Sequence, residues 1–119
     1  MGSETSEMND LLTTLNDYLS KLIPAVKECA NHYQSGKLNE GSSLLVSMIE
    51  GLNWAIGVAA NVQVQDINVE EINTKLNEIV KAFENEDYIL VGDLLEYEIS
   101  PVMQELLDKT AFLIHKGNH

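Results

Sequence analysis

Apolar residues recur three and four positions apart along most of this chain, the period of amphipathic α-helices. The first run is Leu11, Leu12, Leu15, Tyr18, Leu19, Leu22, Ile23, Val26, Cys29, Ala30 and Tyr33. It predicts a helix that starts among the capping residues Ser3, Thr5 and Ser6 and reaches Tyr33, with Pro24 either kinking it or making it begin twice. Gln34-Ser35-Gly36 breaks the period, and glycine suits the left-handed residue that closes a helix. A second helix is expected over about 37–62, with Leu38, Leu45, Met48, Ile49, Leu52, Ile56 and Ala59 on one face and Gly41, Gly51 and Gly57 weakening it. Residues 63–67 form the central connection. Asn68 followed by Glu71 reads as a capping box opening a third helix, whose stripe is Val69, Ile72, Leu76, Ile79, Val80 and Phe83. Beyond the acidic turn Glu84-Asn85-Glu86-Asp87, a fourth helix is expected from about Tyr88 to Lys116. Its inner face is Tyr88, Val91, Gly92, Leu95, Ile99, Val102, Leu106 and Leu113, and Pro101 is a place for a bend.

Laying the chain on itself at a shift of fifty superposes the core positions of the two halves: Leu19 on Val69, Leu22 on Ile72, Val26 on Leu76, Tyr33 on Phe83, Leu45 on Leu95, Ile49 on Ile99, Leu52 on Val102 and Ile56 on Leu106. Surface positions do not coincide, as expected of two hairpins that share only their packing. The fold class that follows is all-α, a four-helix up-down-up-down bundle of two helical hairpins, at about 3–62 and 68–116, with an internal repeat. A length of 119 residues fits one domain with a core that needs no disulfide or metal.

Charge narrows the functions. The net charge is −12, from 19 acids and 7 bases, and every base is lysine. Without arginine's planar fork, and with a field that repels phosphate, nucleic acid and anionic membranes are poor partners. A basic protein segment is the electrostatic complement. Cys29 is the only cysteine, so neither an internal disulfide nor a cysteine-based zinc site is available. The segment Met1 to Glu7 is acidic and polar, unlike a signal peptide, and the expected compartment is cytoplasmic.

Catalytic patterns are thin. Glu28 and His32 are four apart, where di-iron bundles use Glu-x-x-His twice. Cys29 lies on the core stripe, a setting that desolvates a thiolate rather than activating it. Asp93, Glu96, Glu105 and Asp108 resemble the paired acids with which all-helical nucleotide pyrophosphatases hold Mg²⁺. Those acids come from different helices, whereas these share one helix and turn away from its core stripe. Inward carboxylates across a cleft would favour a metal-dependent phosphohydrolase, outward ones a binding protein. No cofactor is expected.

Large apolar residues off the core faces point to partner surfaces. Trp54, with Val58 beside it, is expected to project from the second helix. Leu90, Leu94 and Tyr97 form a separate stripe on the fourth, extended by Pro101 and Phe112. The stretch from Ala82 to Asp87, followed by Asp93-Leu94-Leu95-Glu96-Tyr97-Glu98-Ile99-Ser100-Pro101, gives an acidic turn and then Asp-Leu-Leu-Glu-Tyr-Glu-x-x-Pro. It is similar to a set of small helical proteins of spore-forming Gram-positive bacteria that have no established activity. Size, acidity and helicity also resemble secretion chaperones of the flagellin-chaperone type. The expectation is a non-enzymatic binding, adaptor or chaperone-like bundle that engages a protein partner or another copy of itself. The alternatives are the phosphohydrolase and a carrier with an apolar cavity between the hairpins.

Overall fold

Leu12, Leu15, Leu19, Leu22, Val26, Cys29 and Tyr33 are all buried along one side of α1 (Gly2–Gln34), a helix that runs unbroken through Pro24. In this computed structural model, residues 2–62, 64 and 67–117 are described, with backbone alone for 2–6 and 117. The helix begins at Gly2, so Ser3, Thr5 and Ser6 lie within it rather than ahead of it. Then follow α2 (Leu38–Asn61), α3 (Val69–Glu84) and a last rod made of α4 (Tyr88–Leu94), a π-turn (Leu95–Ile99) and α5 (Ser100–Gly117). The architecture is an all-α four-helix bundle. α1 packs against both α2 and the last rod, while α3 lies on α4 and the π-turn and barely touches α2.

The two hairpin turns are copies of each other at the shift of fifty. In the first, Gly36 N–H donates to Tyr33 C=O at 3.2 Å and Lys37 N–H to His32 C=O at 2.8 Å. In the second, Glu86 N–H donates to Phe83 C=O at 3.0 Å and Asp87 N–H to Ala82 C=O at 2.8 Å. This is the Schellman closure, and its central residue has φ of 79° at Gly36 and 59° at Glu86. Asn68 and Asp87 cap α3 and α4 by accepting from the N–H groups of Glu71 and Leu90. At this turn end of the bundle Tyr33 stacks on Tyr88, rings 5.7 Å apart and nearly parallel, and Phe83 meets Tyr88 edge-on.

The repeat loses its register in the last rod. Among the buried positions of α2 one stripe runs 41, 45, 48, 52, 55, 59, and the matching stripe of the last rod runs 91, 95, 99, 103, 106, 110. From Ile99 onward the shift is fifty-one, because the π-turn holds one extra residue, closed by Ser100 N–H donating to Leu95 C=O. Met103 and Thr110 are therefore fully buried, whereas Val102 and Leu113, expected on the inner face, are only partly covered. Pro101 follows directly, and the wider turn before it makes room for a ring that would press on the carbonyl of Tyr97 in a regular helix.

Gly41 and Gly51 bring α2 close to α1 rather than loosening it, whereas Gly57 faces open space. The Tyr33 ring lies over Gly41, where an added Cβ would be 3.1 Å from the ring, and Tyr18 crosses Gly51. The Cys29 thiol donates to Gly41 C=O at 3.3 Å in the same contact.

Candidate functional site

With 16 residues α3 is about 24 Å long, against about 36 Å for the 24 residues of α2. The fourth wall of the bundle therefore stops short, and at the end opposite the hairpin turns Val62 and Val64 of the connector stand in its place. Val62 N–H donates to Val58 C=O and Val64 N–H to Ala59 C=O, which keeps the chain coiled as it leaves α2 and buries both valines. Between this connector, the start of α1 and α5 lies an open groove of about 950 Å³. Its apolar lining is Met8, Leu12, Val62, Val64, Pro101, Phe112 and Leu113; Asn9, Gln104, Glu105, Asp108, Lys109 and Lys116 also line it. Asn16 fixes the α1–α5 contact by donating to Leu107 C=O at 3.1 Å and to the Thr110 hydroxyl at 3.0 Å.

The residues expected to bind a partner separate into two kinds. Trp54 is 41% exposed and leans edge-on against Tyr18, ring centres 5.1 Å apart. Tyr97 and Phe112 project freely, 69% and 66% exposed, and Leu90 stands half out of the surface. Val58 and Leu94 correct the outward reading, because each is buried to 8% exposure. The covered arc of α2 is two stripes wide, and Val58 belongs to the second, with Gly51, Ala55 and Val62. Leu94 sits beside Val91 and Leu95 and, with Leu90 and Ala82, borders a small hollow between α3 and α4. The predicted Leu90, Leu94, Tyr97 stripe is thus divided. Pro101 and Phe112, its predicted extension, line the groove. Met8, Leu12, Val62 and Val64 were not predicted as site residues, since no local pattern in the sequence marks where a neighbouring helix ends.

The four acids considered for metal binding do not converge. Glu96 accepts from the Gln34 amide of α1, Glu105 pairs with Lys109 at 3.1 Å, and Asp108 accepts from Gln104 at 3.2 Å. Asp93 is partly covered, and the other three are exposed. Among the described residues, no group of three or more His, Cys, Asp or Glu side chains is placed to hold a metal ion. Glu28 lies 3.5 Å from His32 on the surface, but Cys29 faces inward. Burial, with a smaller contribution from the Glu28 charge, pushes the Cys29 thiol up to about 12, the reverse of an activated nucleophile.

Residues 10–109 match the model of a family described as a domain of unknown function, DUF8042, and the chain belongs to that family. No curated protein and no solved structure matches it.

Proposed function

We propose that this chain is a non-enzymatic binding module that holds an amphipathic helical segment of a partner protein in the groove between α1 and α5. The groove carries the reading: an apolar, open-sided channel of about 950 Å³ where the fourth wall of a helical bundle falls short, so that a further helix would complete the packing. The net charge of −12 favours a basic segment through the field of the whole molecule; in the groove itself Glu105 and Asp108 are balanced by Lys109 and Lys116. Four acids on one rod, mostly exposed and with Glu96, Glu105 and Asp108 each engaged by a different neighbour, support binding over phosphate hydrolysis.

The size of the groove also favours a second reading, a carrier of a small apolar molecule, since such sites occupy roughly 300–1,000 Å³. Titrating the labelled protein with a basic amphipathic peptide of about four helical turns separates the readings. The module reading expects amide shifts at Met8, Leu12, Val64 and Phe112, abolished by Phe112→Glu, a change at an exposed site that leaves the fold intact. No response to the peptide, with shifts at the same residues from a long-chain fatty alcohol, would replace it with the carrier.

A further inference from the structure

The last rod carries one stripe along its length, and α3 covers only the first part of it. Leu90 and Leu94 border the hollow against α3, and Glu98, one turn further on, pairs with Lys75 of α3. At spacings of three and four the stripe continues through Pro101, Glu105, Asp108, Phe112 and Lys116, each exposed and each part of the groove lining. A segment lying in the groove therefore continues the α3 packing surface, in line with α3. From Pro101 to Lys116 the rod rises about 22 Å, the length of a helix of about four turns.

Charge along this stripe is divided by position. Glu105 and Lys109 pair with each other at 3.1 Å and cancel. Asp108 accepts from the neutral Gln104 amide and keeps its charge. Lys116 lies about 12 Å beyond it, at the open end of the bundle. At the other end of the groove, α3 begins with Glu70 and Glu71 in its first turn. Glu7 and Asp10 of α1 are exposed near the open end but stand outside the lining.

Given a helical occupant of the groove, we propose that it is a segment with an acidic first turn and a basic last turn, running in the direction of α3. A helix carries partial positive charge at its N-terminus and negative at its C-terminus, so acids stabilise its start and bases its end. The groove requires the same order: acid beside Lys116, base beside Asp108 and the first turn of α3. The segment then runs antiparallel to α5, as neighbours do in an up-down bundle, and its C-terminus meets the N-terminus of α3 head to tail. The reversed segment sets base against Lys116 and acid against Asp108. A uniformly basic one satisfies Asp108 but meets Lys116 with like charge.

Two peptides of identical composition test the direction, both with one leucine stripe over about four turns. One has glutamates in its first turn and lysines in its last, and the other has the two ends exchanged. Each is titrated into the labelled wild type and into Asp108→Lys/Lys116→Glu, a double change at exposed positions whose fold circular dichroism verifies. The glutamate-first peptide is expected to bind wild type at least ~3-fold more tightly than the exchanged one, and the double variant to shrink or invert that ratio. Each peptide's own helicity is the same against both proteins, so the change in ratio reads the groove alone. A spin label on the first residue of the bound peptide is expected to broaden the Lys116 amide more than the Glu105 amide. A ratio equal for both proteins, or a first-residue label that broadens Glu105 more, overturns the direction and leaves the groove reading standing. Binding of neither peptide overturns both.

Discussion

The hydroxyl end of Tyr18 occupies the space that a side chain at Gly51 would need: a Cβ there would collide with the hydroxyl oxygen and lie 3.0 and 3.2 Å from ring carbons. The same ring is packed edge-on by Trp54, which restricts its retreat along α2. Gly51→Ala is expected to lower stability by about 1–2 kcal/mol, the cost of overpacking exceeding the gain in helix propensity. Gly57→Ala, the same change two turns away in open space, is expected to raise it by about 0.5–1 kcal/mol. Urea unfolding of the pair measures both, and a stabilising Gly51→Ala would show that Tyr18 moves aside freely.

Glu86 occupies the left-handed conformation that Gly36 takes in the matching turn, without glycine's freedom to do so. Left-handed backbone costs an L-residue roughly 1–2 kcal/mol, part of which glycine returns through the flexibility of the unfolded chain. Glu86→Gly is therefore expected to stabilise the protein by about 0.5–1 kcal/mol, and Gly36→Ala to destabilise it by a similar amount. Thermal unfolding of the two variants checks the pair, and opposite signs are required.

Cys29 gives a pH signature. Its thiol is raised from the ordinary 9.0 to about 12, by burial first and by Glu28 second. Below pH 9 both folded and unfolded chains hold the proton, and the contribution to stability is complete. Above it the unfolded chain releases the proton while the folded chain keeps it, so stability falls as pH rises through this window, by up to about 1.4 kcal/mol per unit. Urea midpoints between pH 8 and pH 11 should drop more steeply for wild type than for Cys29→Ala. A thiol reagent at pH 8 should label Cys29 only in the unfolded protein.

Most of the fold was legible because each helix declares one apolar stripe and each hairpin turn declares its ends. The shift of fifty matches the two turns in the sequence itself. It could not give the core beyond Ile99, and the reason is physical: a π-turn changes the period without requiring a characteristic residue. A signal was nevertheless present. At a shift of fifty, Ala55 falls on Glu105 and Ala59 on Lys109, apolar on charged, whereas at fifty-one they fall on Leu106 and Thr110. Val58 and Leu94 were misread because a bundle helix covers a wider arc than one ideal stripe. Trp54, Tyr97, Pro101 and Phe112 were visible as apolar residues off the core. The groove was not, since Val62 and Val64 look like connector residues until the short reach of α3 gives them a wall to form.

The extra residue in the π-turn makes a sharper prediction than any substitution. Tyr97 is exposed within that turn, between Leu95 and Ile99, which anchor the core on either side. Deleting Tyr97 shortens the turn to a regular α-helical one and restores the shift of fifty, while every buried side chain of α4 and α5 keeps its face. Pro101 would then meet the carbonyl of the preceding turn, so the deletion is made together with Pro101→Ala. This double variant is expected to fold with stability within about 1 kcal/mol of wild type. Deleting Gln104 instead, in regular helix, rotates all that follows by about 100° and turns Leu106 and Thr110 out of the core, at a cost of several kcal/mol. Denaturant melts of the two deletions decide it: equal damage from both would mean that the π-turn is held by contacts of its own rather than by the surplus residue.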